Sequence, residues 1–166
     1  MKKSYSVPEF FRVFPFYEEE TIFVENNGTE LLFYDDMLEA LNLPNRKPWQ
    51  QSEVYTAEIF HQWKRTKERL NELYAKRDRI AVKPLMIKEI SLLIQVIFWS
   101  NQVPVPHLNE LQENIKELKF KPVNVCERLS FILKEPDHFH SYNQLKALFE
   151  ETEKLYYKSL VNRKKL

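Results

Sequence analysis

Four histidines and one cysteine are the side chains in this 166-residue chain best suited to nucleophilic, acid–base or metal chemistry. His138 and His140 flank Phe139 and follow Asp137, so one short stretch offers two imidazoles and a carboxylate. Its flanks supply none of the familiar zinc spacings, and neither a metal site nor a cofactor is expected. His61, near Phe60 and Trp63, reads as a helix-flank residue, and His107 after Pro106 reads as a helix start. Cys126 has no second cysteine to pair with. Beside the inward face of its helix it reads as a small buried hydrophobe. No Gly-x-Ser-x-Gly elbow and no Ser-x-x-Lys motif activates a serine. Acids do occur side by side, as in Asp35-Asp36 and Glu18-Glu19-Glu20, but adjacent acids on one helix point in different directions. The single glycine, Gly28, excludes a P-loop or a Rossmann turn, which need several residues without a Cβ close to phosphate. The expectation is a protein that is not an enzyme.

Two other groups of residues point to binding. Lys64, Arg65, Lys67, Arg69, Lys76, Arg77 and Arg79 place seven bases against three acids in residues 64–79. Such a face could contact phosphates with an affinity that falls steeply in salt. Helical spacing also allows the pairs Arg65–Glu68, Arg69–Glu72 and Glu72–Lys76, which would consume much of the positive field. No interleaved aromatics suggest a base-stacking platform. Net charge is +1, but residues 1–62 hold 11 acids and 5 bases while residues 63–166 hold 13 acids and 20 bases. That asymmetry marks either a nucleic-acid face or an acidic partner, or two halves packed on each other.

The second group is Trp99-Ser100-Asn101, followed by Pro104 and Pro106, at the end of the most apolar run in the chain. Ser100 and Asn101 either cap a helix C-terminus, with the prolines stopping it, or line a groove floored by Trp99 with Asn101 as its reader. Trp49 after Pro48 would complete the wall of such a groove. A protein–protein interaction or adaptor module working through Trp49, Trp99, Ser100 and Asn101 is the leading expectation. A nucleic-acid role for the basic face is the alternative.

These side chains need a scaffold, and the scaffold is readable. Residues 84–99 are apolar nearly all round after Lys88 and Glu89, as in a buried central helix. At roughly 22 Å this run is too short for a bilayer. An amphipathic helix from Ser52, as N-cap, to about Asp78 precedes it, with Arg79 to Lys83 as the turn between them. Helical spacing follows at Leu108–Leu118, after Pro122, and from a capping box at Ser141-Tyr-Asn-Gln144 onward. The bases at 163–165 suit a fraying C-terminal tail. Before all this come an aromatic arm over residues 4–34, an Asn27-Gly28 hairpin signal or loop within residues 21–34, and a short helix over 35–43. The fold class expected is all-α: one domain of five to six helices around a central buried helix, with an aromatic N-terminal arm. Lys2 and Lys3 could begin a signal peptide, but Pro8, Glu9 and Arg12 interrupt any apolar stretch. A reducing, cytoplasmic setting without membrane contact is expected.

Pro15-Phe16-Tyr17, Phe33-Tyr34-Asp35, Pro48-Trp49 and above all Phe98-Trp99-Ser100-Asn101 with Pro104-Val105 resemble the YpoC-like family of small helical proteins of low-GC Gram-positive bacteria. The resemblance covers most of the chain and transfers no catalytic role to any position. Because members tend to be encoded beside DNA replication and repair genes, it implies an accessory role there as the context for the basic-face alternative.

Overall fold

The computed structural model describes residues 2–25 and 28–164. Two short strands, β1 (Lys3–Ser6) and β2 (Thr21–Val24), precede six helices: α1 (Tyr34–Ala40), α2 (Ser52–Ala75), α3 (Arg79–Ser100), α4 (Leu111–Lys116), α5 (Val125–Lys134) and α6 (Phe139–Lys164). Single 3-10 turns lie at Glu9–Phe11, directly after Pro8, and at Pro48–Gln51, which begins on its proline. The all-α bundle is therefore present, with six helices and one small sheet. No helix among the described residues is long and apolar enough to cross a membrane.

The apolar run forms the axis. From Glu89 to Ser100 every residue of α3 except Leu92 is buried, and α2 and α6 pack along it. The helix starts earlier than its hydrophobic run, however. Asp78 accepts from the backbone N–H of Ala81 at 3.1 Å and caps α3, so Arg79 to Lys83 are its first turn and not a connection. Pro84 lies inside the helix. Cap chemistry at Asp78 sets the start more firmly than the proline does. Glu89 belongs to the core as well: only 1% of it is exposed.

Three further boundaries differ from the sequence reading, two because a serine taken for a cap is used elsewhere and one because a basic tail is anchored. Ser52 is the first residue of α2 and is buried, and its hydroxyl oxygen accepts from Arg163 Nη1 at 3.3 Å. Ser141 sits within α6, whose first residue is Phe139, and its hydroxyl donates to the Glu135 carbonyl at 2.6 Å. Arg163 is no free tail: it is still helical, and Nη2 donates to the Ser100 carbonyl at the end of α3.

The N-terminal arm is tied down at both ends. Strand β2 pairs antiparallel with β1, with Tyr5 opposite Ile22, and not with residues 29–34. Asn27, one half of the Asn27-Gly28 hairpin signal, lies outside the described residues. Gly28 stands at φ +88°, and a Cβ there would meet the Tyr5 ring at 2.5 Å. Both conformation and space therefore require the chain's one glycine. Phe11 and Phe16 close on Phe33, with centroids 6.1 and 5.1 Å away.

Candidate functional site

The tryptophans and Asn101 are built into the scaffold. Residues Asp35 and Asp36 are consecutive in α1 and diverge. Asp35 takes the Arg46 guanidinium at two points, Nε at 3.0 Å and Nη2 at 2.6 Å. Asp36 turns inward and accepts three bonds: Gln95 Nε2 at 2.8 Å, Trp99 Nε1 at 3.0 Å and the Val105 backbone N–H at 2.8 Å. Burial pushes its carboxyl up to about 6, against the pull of those three donors. Asn101 clamps the chain to itself. Its amide nitrogen donates to the carbonyls of Ile97 and Phe120, both at 2.8 Å, and its oxygen accepts from Phe120 N–H at 2.9 Å. Trp99 lines a cleft of about 270 Å³ with Gln95, Tyr55 and Arg46. Ser100 and Asn101 line a different one of about 240 Å³ with Lys119 and Arg163. Trp49 is buried and lines neither. The structure thus does not gather Trp49, Trp99, Ser100 and Asn101 into one groove, and the amide expected to read a partner holds Phe120 instead.

It does gather two features that lie far apart in sequence. α2 and α6 run antiparallel: Lys64 Nζ pairs with Glu153 at 3.1 Å, Tyr142 OH donates to the Lys67 carbonyl at 3.1 Å, and Tyr74 OH donates to the Asp137 carbonyl at 2.9 Å. This packing carries the basic end of α2 to the His138–His140 stretch. Together they line a concavity of about 450 Å³, with Tyr74, Arg77 and Arg79 on one side and Asp137, His138, Phe139 and His140 on the other. Arg77 occupies the turn between α2 and α3 in the left-handed region, at φ +56°. It is exposed and makes no ion pair among the described residues. Arg79 Nη2 meets Asp137 at 3.2 Å, with the arginine exposed and the aspartate partly buried, an attachment of modest energy on the solvent side of the concavity. His138 is held by Glu135 at 2.5 Å, and His140 is exposed.

An aromatic ladder fills the same seam. Trp63 stacks on Phe149 at 4.3 Å and meets Tyr142 edge-on, Tyr142 stacks on Tyr74 at 4.9 Å, and Tyr74 meets Phe139 edge-on at 5.5 Å. Lys146 Nζ lies 4.6 Å over the Tyr142 ring. Trp63, Phe149 and Tyr142 are buried and Tyr74 is partly buried, while the last rung, Phe139, is 53% exposed inside the concavity. The sequence carried this signal only as a phenylalanine between two histidines.

The predicted basic face therefore divides. Arg77 and Arg79 reach the concavity, and Lys64 and Lys67 flank the seam. At about 100° per residue, Arg65, Arg69 and Lys76 fall on the far side of α2 from Asn71 and Tyr74. Arg69 pairs there with Glu72 at 3.3 Å. Elsewhere, no three His, Cys, Asp or Glu among the described residues are grouped to hold a metal. Cys126 is partly buried, which raises its thiol pKa, and Sγ faces the Gln112 carbonyl at 3.6 Å.

Residues 53–164 match the family described as YpoC-like protein. The chain is also 32% identical over 111 residues to the Uncharacterized protein YpoC of Bacillus subtilis (strain 168), an alignment covering 67% of this chain and 68% of that one. No solved structure matches. The family match includes α3, α6, the concavity and nearly all of α2, and leaves out the arm and α1.

Proposed function

The chain belongs to the YpoC-like family, and on that premise we propose that it works by binding, not catalysis, and that its ligand is single-stranded nucleic acid held along the α2–α6 seam. The observation that carries the reading is Phe139, a half-exposed ring that lines one concavity with Arg77 and Arg79. An aromatic face offers stacking to any unpaired base, and nearby cations meet the phosphates; this combination defines sequence-tolerant single-strand sites. A paired base is already stacked, so duplex gains only the electrostatic part. From Lys64 to Arg77 the seam runs on the order of 20 Å, enough for a few nucleotides.

The placement of the acids supports binding in place of catalysis. Asp36 and Glu89 are sealed in the core, and the concavity's one carboxylate, Asp137, is engaged by Arg79. A cytoplasmic setting, where such ligands occur, belongs to the same reading. An adaptor role through the tryptophan groove has less support, because the Trp99 N–H and the Asn101 amide are spent within the chain.

Fluorescence polarisation with a labelled oligothymidylate of about 15 nucleotides, and with a duplex of equal length, tests the reading at about 50 and about 200 mM salt. The single strand should bind more tightly, and salt should weaken it. Absence of binding at low salt, or affinity indifferent to salt, overturns it.

A further inference from the structure

Positive charge is not spread evenly along the seam, and among the rings of the ladder Phe139 is the exposed one. Lys64 is neutralised by Glu153, whereas the concavity brings Arg77 and Arg79 together, with Asp137 as the carboxylate in its lining. Beyond it the seam stops, because α2 ends at Ala75 and the chain turns back into α3 at Arg79. One exposed ring accommodates one base, and clustered donors at the end of the seam suit one group of higher charge than an internal phosphodiester. A phosphate monoester carries about −1.5 to −2 charges at neutral pH and three acceptor oxygens, against one charge for the diester.

We infer that the concavity at the end of the α2–α6 seam holds the phosphorylated terminus of a strand, with the terminal base on Phe139 and its phosphate monoester on Arg77 and Arg79. The inference rests on the single-strand reading and sharpens it from a binding surface to recognition of an end. Arg77 has the larger role, since it has no ion pair among the described residues to give up, while Arg79 must exchange Asp137 for the phosphate. The chemistry is common to a 5′- and a 3′-phosphate, so the test includes both.

Three oligothymidylates of the same length and sequence, bearing a 5′-phosphate, a 3′-phosphate or only hydroxyl ends, are titrated by fluorescence polarisation with an internal label. One phosphorylated form should bind about tenfold more tightly than the hydroxyl form, the gain expected from about one charge-assisted hydrogen bond. Arg77→Gln, on an exposed turn, should bring the ratio of phosphorylated to hydroxyl affinity down to about one, with both forms bound a few-fold more weakly than by wild type. Equal affinity for all three oligomers overturns the inference while leaving the single-strand reading intact. So does a preference that survives in Arg77→Gln. Failure of all three to bind overturns both.

Discussion

Trp99 Nε1 donates to Asp36 Oδ1 at 3.0 Å, joining the last turn of α3 to α1 across 63 positions of sequence. Asp36 is 1% exposed and Trp99 5%. The same carboxylate also holds Gln95 and the Val105 N–H, so one buried acid ties α1, α3 and the following loop together. An aspartate that satisfies three buried donors has a structural role, and its loss orphans all three.

Asp36→Ala should therefore cost about 3–5 kcal/mol in urea unfolding, since each orphaned donor carries a penalty of about 1–3 kcal/mol. Asp36→Asn should cost much less. An amide oxygen at the Oδ1 position keeps Trp99 and Val105, and Gln95 can turn its own amide to present oxygen. Near-equal stability of the alanine variant and wild type would remove the knot from the account.

Glu89 sets a pH dependence. Among the described residues neither carboxylate oxygen has a donor in good hydrogen-bonding geometry, and burial pushes the group from 4.5 up to about 7, with only a partial offset from the nearby Thr66 hydroxyl and the Lys88 ammonium. Between those values the folded chain holds a proton that the unfolded chain has released. Stability from this group is thus greatest at low pH, declines as pH rises from about 4.5 to about 7, and is level above. Glu89→Gln should abolish that decline and gain roughly 3 kcal/mol over wild type at pH near 8. Urea midpoints for both proteins at about pH 5 and about pH 8 check it, and parallel changes in the two proteins would contradict it.

Gly28 offers a third check. Alanine there must adopt φ +88° with its Cβ 2.5 Å from the Tyr5 ring, so Gly28→Ala should destabilise by about 1–2 kcal/mol or more. A thermal midpoint equal to wild type would show that this turn is free to rearrange.

The two sides of α2 should behave differently. Replacing Arg65, Arg69 and Lys76 together by glutamine should weaken single-strand binding only a few-fold. Replacing Arg77 and Arg79 together should weaken it about tenfold or more and flatten the salt dependence by about one unit of slope per lost contact. The reverse ranking would place the ligand on the far face of α2.

How much of this is legible in the sequence follows from the range of each interaction. The helices are, because the apolar spacing of α2, α5 and α6 and the run of α3 are local patterns. Boundaries were misread where one polar side chain had two uses: Ser52 and Ser141 looked like caps but bond to Arg163 and Glu135. The partner of β2 was hidden because Asn27-Gly28 is a strong local signal, whereas β1 lies at the start of the chain. The divergence of Asp35 and Asp36 was foreseeable from helix geometry, but the partners of Asp36 were not. Least visible of all was the concavity. Arg79 and Asp137 are 58 positions apart, and they meet only because α2 and α6 pack antiparallel. Sequence reading saw the basic face without aromatics and the histidines without cations.

The central claim turns on one ring. Phe139→Ala removes a half-exposed side chain at the first residue of α6, so the fold should persist, as the circular dichroism spectrum will show. Oligothymidylate affinity at about 50 mM salt should fall about fivefold to a hundredfold, the loss of one base stack at about 1–3 kcal/mol, with the slope against salt unchanged. Full affinity in the folded Phe139→Ala protein would contradict the account.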